Sequence, residues 1–209
     1  MGPIAETHSK EIINHVSKVA KYSKKFALLL GLGENTAELI KKAALMHDIG
    51  KVGISNTILN KPGRLTKDEF EQVKKHAEFG YRMLSYSNRP ILRVAATIAW
   101  EHHEKWDGSG YPRGLAGNYI HLYGRITAVA DVFDALGTQR CYKRPWKDED
   151  IWAYFEEQKG KHFDPELIEL FFDNLACFKE IRQNHSDLYL GQLDSSAFYL
   201  PPQFTSSFQ

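Results

Sequence analysis

The sequence has few cysteines and no long apolar segment, and each of these shortages excludes a class of protein. Only two of the 209 residues are cysteine, which is too few for a disulfide framework, and Cys141 and Cys177 are wrongly spaced for a zinc ribbon. The longest apolar runs, such as residues 26–30, are far shorter than the roughly 20 residues that span a bilayer. No secretory signal opens the sequence. A secreted miniprotein and a membrane span are therefore excluded, and we expect a cytoplasmic setting.

The sequence also lacks an excess of either charge. It has 27 Lys and Arg residues against 26 Asp and Glu residues, so the formal net charge is +1. A protein that binds duplex nucleic acid normally carries a basic excess that releases counterions, so we expect no duplex nucleic acid as a partner. What remains is an ordinary globular composition, 43% hydrophobic and 25% charged, which is long enough for one sizeable core.

Apolar residues recur at helical spacing, and the sequence therefore predicts an all-α fold. Thr66 with Glu69 is a capping box, and Asp164 before Pro165 is typical of an N-cap followed by the first residue of a helix. The predicted helices cover about 12–30, 34–47, 66–86, 90–103, 122–136, 148–159 and 165–181. We expect one domain over 1–184 and a loosely ordered tail over 185–209, because the tail shows no periodicity.

A long glycine-rich stretch, residues 104–119, follows the fourth predicted helix. An irregular segment of that length inside a compact domain is usually functional or disordered. Trp106, Tyr111 and Leu115 argue against disorder. We therefore expect a functional loop.

Five of the nine histidines form a joint pattern with three carboxylates. Each of these residues lies among apolar neighbours at the inward edge of a predicted helix, where a charge or an unpaired imidazole is costly. A shared cluster of divalent cations would compensate for that cost, and mixed imidazole and carboxylate ligands suit Fe, Mn or Zn. Taken singly, a histidine on an apolar helix face is more often a core histidine than a ligand, and Glu11 with His15 fits a solvated face. The eight candidates are Glu11, His15, His47, Asp48, His76, His102, His103 and Asp131.

Two motifs among these residues resemble a known family. His47-Asp48 followed by Lys51 resembles the His-Asp-x-x-Lys signature of the HD superfamily of metal-dependent phosphohydrolases. Residues 102–112, His-His-Glu-Lys-Trp-Asp-Gly-Ser-Gly-Tyr-Pro, match the motif His-His-Glu-x-x-Asp-Gly-x-Gly-Tyr-Pro of its HD-GYP subfamily. The resemblance covers about residues 10–175. It implies an HD-domain helical bundle with a long Gly-rich loop after the fourth helix.

The resemblance also implies an activity and a cofactor. Members of the family are cyclic di-GMP phosphodiesterases that produce pGpG and often GMP, with a metal-bridging water as the nucleophile. In some members an earlier Glu and His, four residues apart, complete a trinuclear site, and Glu11 and His15 occupy those places. The implied cofactor is two or three divalent metal ions, Fe or Mn. The other implied metal ligands are His47, Asp48, His76, His102, His103 and Asp131.

Further roles follow from the same resemblance. Asp48 has two oxygens and could bridge two metals, while Lys51, about one turn beyond, could hold a phosphate oxygen or the nucleophilic water. Asp134 would either orient a neighbour or contact the substrate. Taken alone, Lys51 fits a solvated loop lysine, and the two later cations fit surface charge. The implied substrate contacts are Tyr111, Pro112, Asp134, Arg140 and Lys143.

Two alternatives remain open at the level of sequence. One is a different substrate, either a hybrid cyclic GMP-AMP dinucleotide or another nucleotide phosphate. The other is a non-catalytic signalling module whose Gly-Tyr-Pro loop binds a partner such as a diguanylate cyclase or a regulatory domain. The complete set of ligand residues favours catalysis, and the substrate class expected is a cyclic dinucleotide. Histidines 8, 121, 162 and 185 receive no role.

Overall fold

A computed structural model describes residues 3–138 and 145–183, with side chains described from residue 13 onward. Within these ranges the chain forms α-helices, two short 3-10 helices at Ile49–Gly53 and Gly117–Tyr119, and no strand, which confirms the all-α prediction. None of these helices is long and apolar enough to cross a membrane. The helices are α1 (Pro3–Leu29), α2 (Glu34–Ala44), α3 (Asn56–Leu59), α4 (Lys67–Ser85), α5 (Pro90–Glu101), α6 (Leu122–Gly137), α7 (Asp148–Gln158), α8 (Pro165–Asp173) and α9 (Leu175–Gln183).

Local capping signals mark several of these helix ends. The Thr66 hydroxyl accepts a hydrogen bond from the backbone N–H of Glu69, and the Glu69 carboxylate accepts one from Thr66, which confirms the predicted capping box. Asp164 accepts from Glu166 at the start of α8. His121, to which the sequence assigned no role, caps α6, since its Nδ1 accepts from the backbone N–H of Tyr123 at 3.2 Å.

Helix α1 begins at Pro3, well before its predicted start at about residue 12. Two other predicted helices differ from the observed ones, for tertiary and local reasons. The segment predicted as 34–47 ends at Ala44 and continues as a turn and a 3-10 helix. There Gly50 lies so close to α4 that a Cβ atom would stand 1.9 Å from the carbonyl oxygen of His76. The segment predicted as 165–181 divides at Asn174, whose side-chain amide donates to the carbonyl of Leu170. The short α3, capped by Ser55, was not predicted.

The C-terminal half of the fold packs around large aromatic rings. Helices α1, α6, α7, α8 and α9 enclose them, and we call this cluster the aromatic core. Phe171 lies at its centre, with its ring centroid 4.9 Å from that of Phe178 and 5.0 Å from that of Phe133. The largest fully buried rings of this core are Tyr22, Phe26, Phe133, Phe155, Phe163, Phe171 and Phe178.

The N-terminal half packs through small side chains instead. Helices α1, α2, α4 and α5 meet there, and we call this cluster the alanine core. Small side chains allow the helix backbones to approach closely, as at Gly80, where a Cβ atom would stand 3.0 Å from that of Ala99. Four of the predicted metal ligands follow the ends of two of these helices, His47 and Asp48 after α2 and His102 and His103 after α5. The buried members of this core are Ala20, Ala43, Ala44, Leu84, Ala95, Ala96, Ile98 and Ala99.

Candidate metal centre

The fold brings seven of the eight predicted ligands together in two groups. In the first group, Asp48, His76, His102 and His103 each offer a ligand atom, and these atoms lie within 4.8 Å of one another. In the second group, His15, His47 and Asp131 do the same. The eighth residue, Glu11, lies on α1 one turn before His15, but its side chain is outside the described part of the chain. The predicted cluster of histidines and carboxylates is therefore a feature of the folded chain.

Five separate segments supply these side chains. The turn after α2 carries two neighbouring ligands, and the end of α5 carries two more. The close approach at Gly50 sets the α2 turn directly against α4, and so places Asp48 next to His76. The segments and their ligands are α1 with His15, the turn after α2 with His47 and Asp48, α4 with His76, the end of α5 with His102 and His103, and α6 with Asp131.

Three of the imidazole rings are fixed by hydrogen bonds to the backbone. In each ring Nδ1 lies within hydrogen-bond distance of a carbonyl three or four residues earlier, so Nδ1 carries the proton and donates it. This tautomer leaves the lone pair on Nε2, the atom that faces the cluster. The bonds run from His47 to Ala44 at 2.8 Å, from His76 to Val73 at 2.6 Å, and from His102 to Ile98 at 3.0 Å.

Several buried polar atoms at the centre have no hydrogen-bond partner within the described residues. They are Nε2 of His47, Nε2 of His102 and Oδ1 of Asp48. Each such atom costs about 1–3 kcal/mol when it is left unsatisfied in the interior. All three are electron-pair donors of the kind that bind divalent cations, so these residues fit the metal use that the HD-type signature implies.

His15 lies between two carboxylates of α6. Its Nε2 is 3.2 Å from Oδ1 of Asp131, and its Nδ1 is 2.7 Å from Oδ2 of Asp134. Burial alone would lower the pKa of His15, but the hydrogen bonds to Asp131 and Asp134 outweigh it and raise the pKa to about 9. The two carboxylates therefore fix the ring in one orientation.

Asp134 was predicted either to orient a neighbour or to contact the substrate. Its side chain is completely buried, and its carboxylate contacts His15, Thr138 and the ammonium of Lys18. These contacts fit the positioning role toward His15. The substrate contact of Asp134 stays a prediction.

The electrostatics of the first group suit metal ligands. Burial alone would raise the pKa of Asp48, but the charges of His47 and Lys51 and the nearby His102 ring hold it well below its usual range. Burial, together with His102, lowers the pKa of His76 to about 4. At neutral pH the carboxylate is therefore ionised and the His76 imidazole is neutral, which are the forms that coordinate metals.

The mouth of the centre carries the predicted catalytic and substrate-contact residues. Lys51 is 43% exposed, and its ammonium donates to Oδ2 of Asp48. Tyr111 stacks on His103 with 4.7 Å between the ring centroids, and Pro112 lies beside it, exposed. Arg140 and Lys143 fall outside the described residues, so their contact with a second phosphate stays a prediction.

Two glutamates that received no role from the sequence hold the glycine-rich loop in place. The carboxylate of Glu104, which is only 2% exposed, accepts the backbone N–H groups of Arg113 at 2.8 Å and Leu115 at 3.0 Å. The carboxylate of Glu101 accepts the backbone N–H of His121 at 2.5 Å and the guanidinium of Arg113. The only sequence signal for this role is an acidic residue directly before a loop rich in free amides. The loop is thus fastened to the helix end that supplies His102 and His103.

Comparisons with known proteins agree with this geometry. The chain is 49% identical over 182 residues to the 3'3'-cGAMP-specific phosphodiesterase 2 of Vibrio cholerae, a match that covers 87% of this chain and 35% of that protein. It is 44% identical over 191 residues to a cyclic di-GMP phosphodiesterase of Thermotoga maritima, a match that covers 91% of this chain and 50% of that protein. The chain thus spans between about a third and a half of the length of these relatives.

Solved structures share the fold at lower identity. A crystal structure of the cyclic GMP-AMP phosphodiesterase V-cGAP3 of V. cholerae aligns over 83% of this chain and 46% of its own, with a TM-score of 0.60 and 18% identity. The HDG"Y"P protein Bd1817 of Bdellovibrio bacteriovorus aligns over 78% of this chain and 51% of its own, with a TM-score of 0.60 and 24% identity. At these identities the likeness concerns the fold alone.

A family match covers most of the sequence. Residues 1–167 match the family described as HD domain. This range includes every predicted metal ligand and the whole glycine-rich loop. The resemblance to HD-GYP proteins is confirmed, and the chain belongs to the HD domain family.

Proposed function

We propose that this chain is a metal-dependent phosphodiesterase domain that hydrolyses cyclic di-GMP to pGpG, GMP or both. The observation that carries the proposal is the convergence of unpaired electron-pair donors on His47, Asp48 and His102 beneath the exposed ammonium of Lys51. The names of the relatives support the substrate class, since these names specify cyclic di-GMP or 3'3'-cGAMP as the substrate.

Asp48 belongs to the first group of ligands and also lies next to His47 of the second. Its Oδ1 lies 3.3 Å from Nε2 of His76 and 3.8 Å from Nε2 of His102, whereas its Oδ2 lies 3.5 Å from Nε2 of His47. One cation would be held by Asp48 with His76, His102 and His103, and a second by His15, His47 and Asp131. The second oxygen of Asp48, beside His47, could contribute to the second ion. Glu11 would help to hold a third. The donor set suits Fe or Mn.

The chain's own residues account for substrate orientation. Bound divalent ions would neutralise the non-bridging oxygens of a phosphodiester and lower the pKa of a water molecule toward 7. Lys51 is placed to hold a phosphate oxygen at the mouth, because its ammonium stands beside Asp48 and is half-exposed. Tyr111 covers one face of His103 and so would shield that ligand from solvent.

The two alternative functions, a non-catalytic binding module and a phosphodiesterase with another substrate, require different features of the site. The complete set of ligands argues against a purely non-catalytic module that binds a diguanylate cyclase, since such a module needs no convergent metal donors. A hybrid cyclic GMP-AMP is the competing substrate, because the names of three relatives specify it. Both dinucleotides therefore belong in the same assay.

The decisive experiment measures metals and products together. We expect protein purified without oxygen to contain two or three Fe or Mn ions per chain and to convert cyclic di-GMP to pGpG or GMP. Asp48→Ala should lose at least one metal and all hydrolysis, because it removes the only carboxylate of the first group, which also lies beside His47 of the second. Asp150→Ala, on the exposed face of α7, is the matched control and should change neither. Metal-loaded wild type that leaves both dinucleotides intact, or full turnover by Asp48→Ala, contradicts the proposal.

The number of metals can be tested separately. Glu11→Ala should lower the metal content by about one per chain and leave the other two bound, because Glu11 is the predicted ligand of a third ion only. Elemental analysis of both proteins gives the answer. An unchanged stoichiometry would establish a dinuclear centre and remove Glu11 from the ligand set.

A further inference from the structure

Phe70 is a large aromatic side chain that lies exposed beside the candidate metal centre. It belongs to α4, less than two turns before His76, and is 46% exposed. Its ring meets that of Tyr111 edge to face, with 6.2 Å between the centroids and an interplanar angle of 84°. Tyr111 in turn stacks on His103. We call Phe70 and Tyr111 the aromatic shelf, and it extends from the ligand His103 outward to solvent.

Lys74 lies against both rings of the aromatic shelf. Its ammonium is 5.6 Å from the ring centroid of Phe70 and 5.6 Å from that of Tyr111. The same ammonium pairs with the carboxylate of Glu71 at 2.6 Å, which limits where it can move. A cation over two rings stabilises their relative orientation. The shelf is therefore held in one geometry by contacts on its protein side, while the ring of Phe70 keeps an exposed surface.

The position of the aromatic shelf beside the metal ligands indicates which part of a substrate would contact it. On the proposed function, a phosphate of the substrate lies at the ligands, next to Lys51 and His103. The base attached to the neighbouring ribose must then extend away from the donors toward solvent. Purine bases stack on aromatic side chains, and such stacking accepts any base because every base has a π face.

We propose that Phe70 is a substrate-binding residue that stacks on a purine base of the cyclic dinucleotide, with Tyr111 forming the adjoining side of the subsite. The inference rests on the proposed function and adds a base subsite to it. Because stacking does not distinguish guanine from adenine, Phe70 contributes to the affinity for both cyclic di-GMP and 3'3'-cGAMP. Discrimination between the two must come from other residues.

Steady-state kinetics of matched variants test the subsite. Phe70→Leu keeps the apolar volume but removes the ring, and we expect it to raise KM about tenfold for both dinucleotides, with kcat within about twofold of wild type. Phe70→Tyr keeps the ring and should keep KM within about twofold. Met83→Ala, at another exposed apolar position on α4, is the control and should change neither constant. Metal content and the unfolding temperature, measured for every variant, confirm that each is folded.

A spectroscopic signature separates stacking from an indirect effect on the loop. The probe is a phosphorothioate analogue of cyclic di-GMP that carries 2-aminopurine in place of one guanine. Its fluorescence should fall on binding to wild type and to Phe70→Tyr. At saturation it should stay bright on Phe70→Leu. Equal quenching by all three proteins, or a KM for Phe70→Leu equal to that of wild type, overturns the subsite and leaves the phosphodiesterase intact. Wild type without turnover of either dinucleotide overturns the proposed function itself, and the base subsite with it.

Discussion

The aromatic core and the alanine core solve different problems with the same secondary structure. In the aromatic core, rings such as Phe171 and Phe178 fill the space between α1, α6, α8 and α9. In the alanine core, the helices approach so closely that Gly50 contacts the backbone of α4. Large side chains bury much apolar area and contribute stability, whereas small ones allow helix backbones to approach closely, so that ligands from several helices meet at one point. The comparison teaches that the polar centre is built where apolar volume is smallest.

The two cores are joined through α1 and α6, which contribute to both halves. Helix α1 supplies Tyr22 and Phe26 to the aromatic core and His15 to the candidate metal centre. Helix α6 supplies Phe133 to the former and Asp131 to the latter. We therefore expect changes in the aromatic core to lower stability without altering the centre, and changes in the alanine core to alter the centre directly.

The largest expected effect on stability belongs to the aromatic core. Phe171→Ala should lower the free energy of unfolding by about 4 kcal/mol, because it removes a fully buried ring surrounded by other rings. Denaturant unfolding measures this loss. Its neighbour Phe172 is only partly buried, so Phe172→Ala should cost clearly less. The folded fraction of Phe171→Ala should bind as much metal per chain as wild type. Loss of metal from that fraction would show that the two cores are not separable.

The second-largest effect is expected from a substitution that disrupts the packing of the alanine core. Gly50→Ala places a Cβ atom 1.9 Å from the carbonyl oxygen of His76 and 2.4 Å from the backbone nitrogen of Gly80, both rigid backbone atoms. The turn that carries Asp48 must then move away from α4, which should lower the free energy of unfolding by about 3 kcal/mol. We expect less metal per chain, by elemental analysis, together with a lower unfolding temperature. Normal metal content would mean that the close approach does not position the ligands.

A pH titration probes the point where the glycine-rich loop meets the aromatic core. Burial, aided by the charge of Lys105, lowers the pKa of His162 to about 4, and its ring stacks on Phe163 with 4.3 Å between centroids. The unfolded chain takes up this proton near pH 6.5, so stability is complete above that pH and falls as the pH drops from 6.5 toward 4. The loss should approach about 3 kcal/mol. His162→Gln should flatten this part of the curve of unfolding free energy against pH, and an unchanged slope would contradict the assignment.

The smallest effect is expected at Gly137, a glycine of α6 that serves as the counterpart of Gly50 in the half of the fold with the aromatic core. At Gly137, the last residue of α6, a new Cβ atom would stand 3.0 Å from Nη1 of Arg182, the far end of a flexible side chain. Gly137→Ala should change the free energy of unfolding by less than about 1 kcal/mol, since the better helix propensity offsets the small displacement. If it costs as much as Gly50→Ala in the same denaturant titration, close backbone approach is not what distinguishes the alanine core.

The sequence predicted those parts of the structure that depend on local chemistry. The capping box at Thr66 and the N-cap at Asp164 involve residues within three positions of each other, and both were found where they were expected. The early end of α2 was not predictable, because it follows from contact between Gly50 and a helix some 26 residues away. The break at Asn174 was missed because the apolar periodicity continues through it.

The candidate centre shows the same limit. Its ligands could be predicted because their residue types and motif spacing are themselves the signal. The residues that position them could not, since their partners are distant or generic. Asp134 reaches His15 across 119 positions, and Glu104 binds backbone amides that any residue would provide. Phe70 carried no motif at all, and only its contact with Tyr111 draws attention to it.

The hydrogen bonds from three histidine rings to the backbone link the retention of a bound metal to the local stability of the helices and turns that carry these rings. Each ring is bonded to a carbonyl of its own helix or turn, three or four residues earlier. A ring cannot swing away from a bound ion without breaking this hydrogen bond, and local unfolding of the turn releases the ring altogether. The rate at which a strong chelator extracts the ion should therefore rise with local unfolding of the turn after α2, of α4 and of the end of α5.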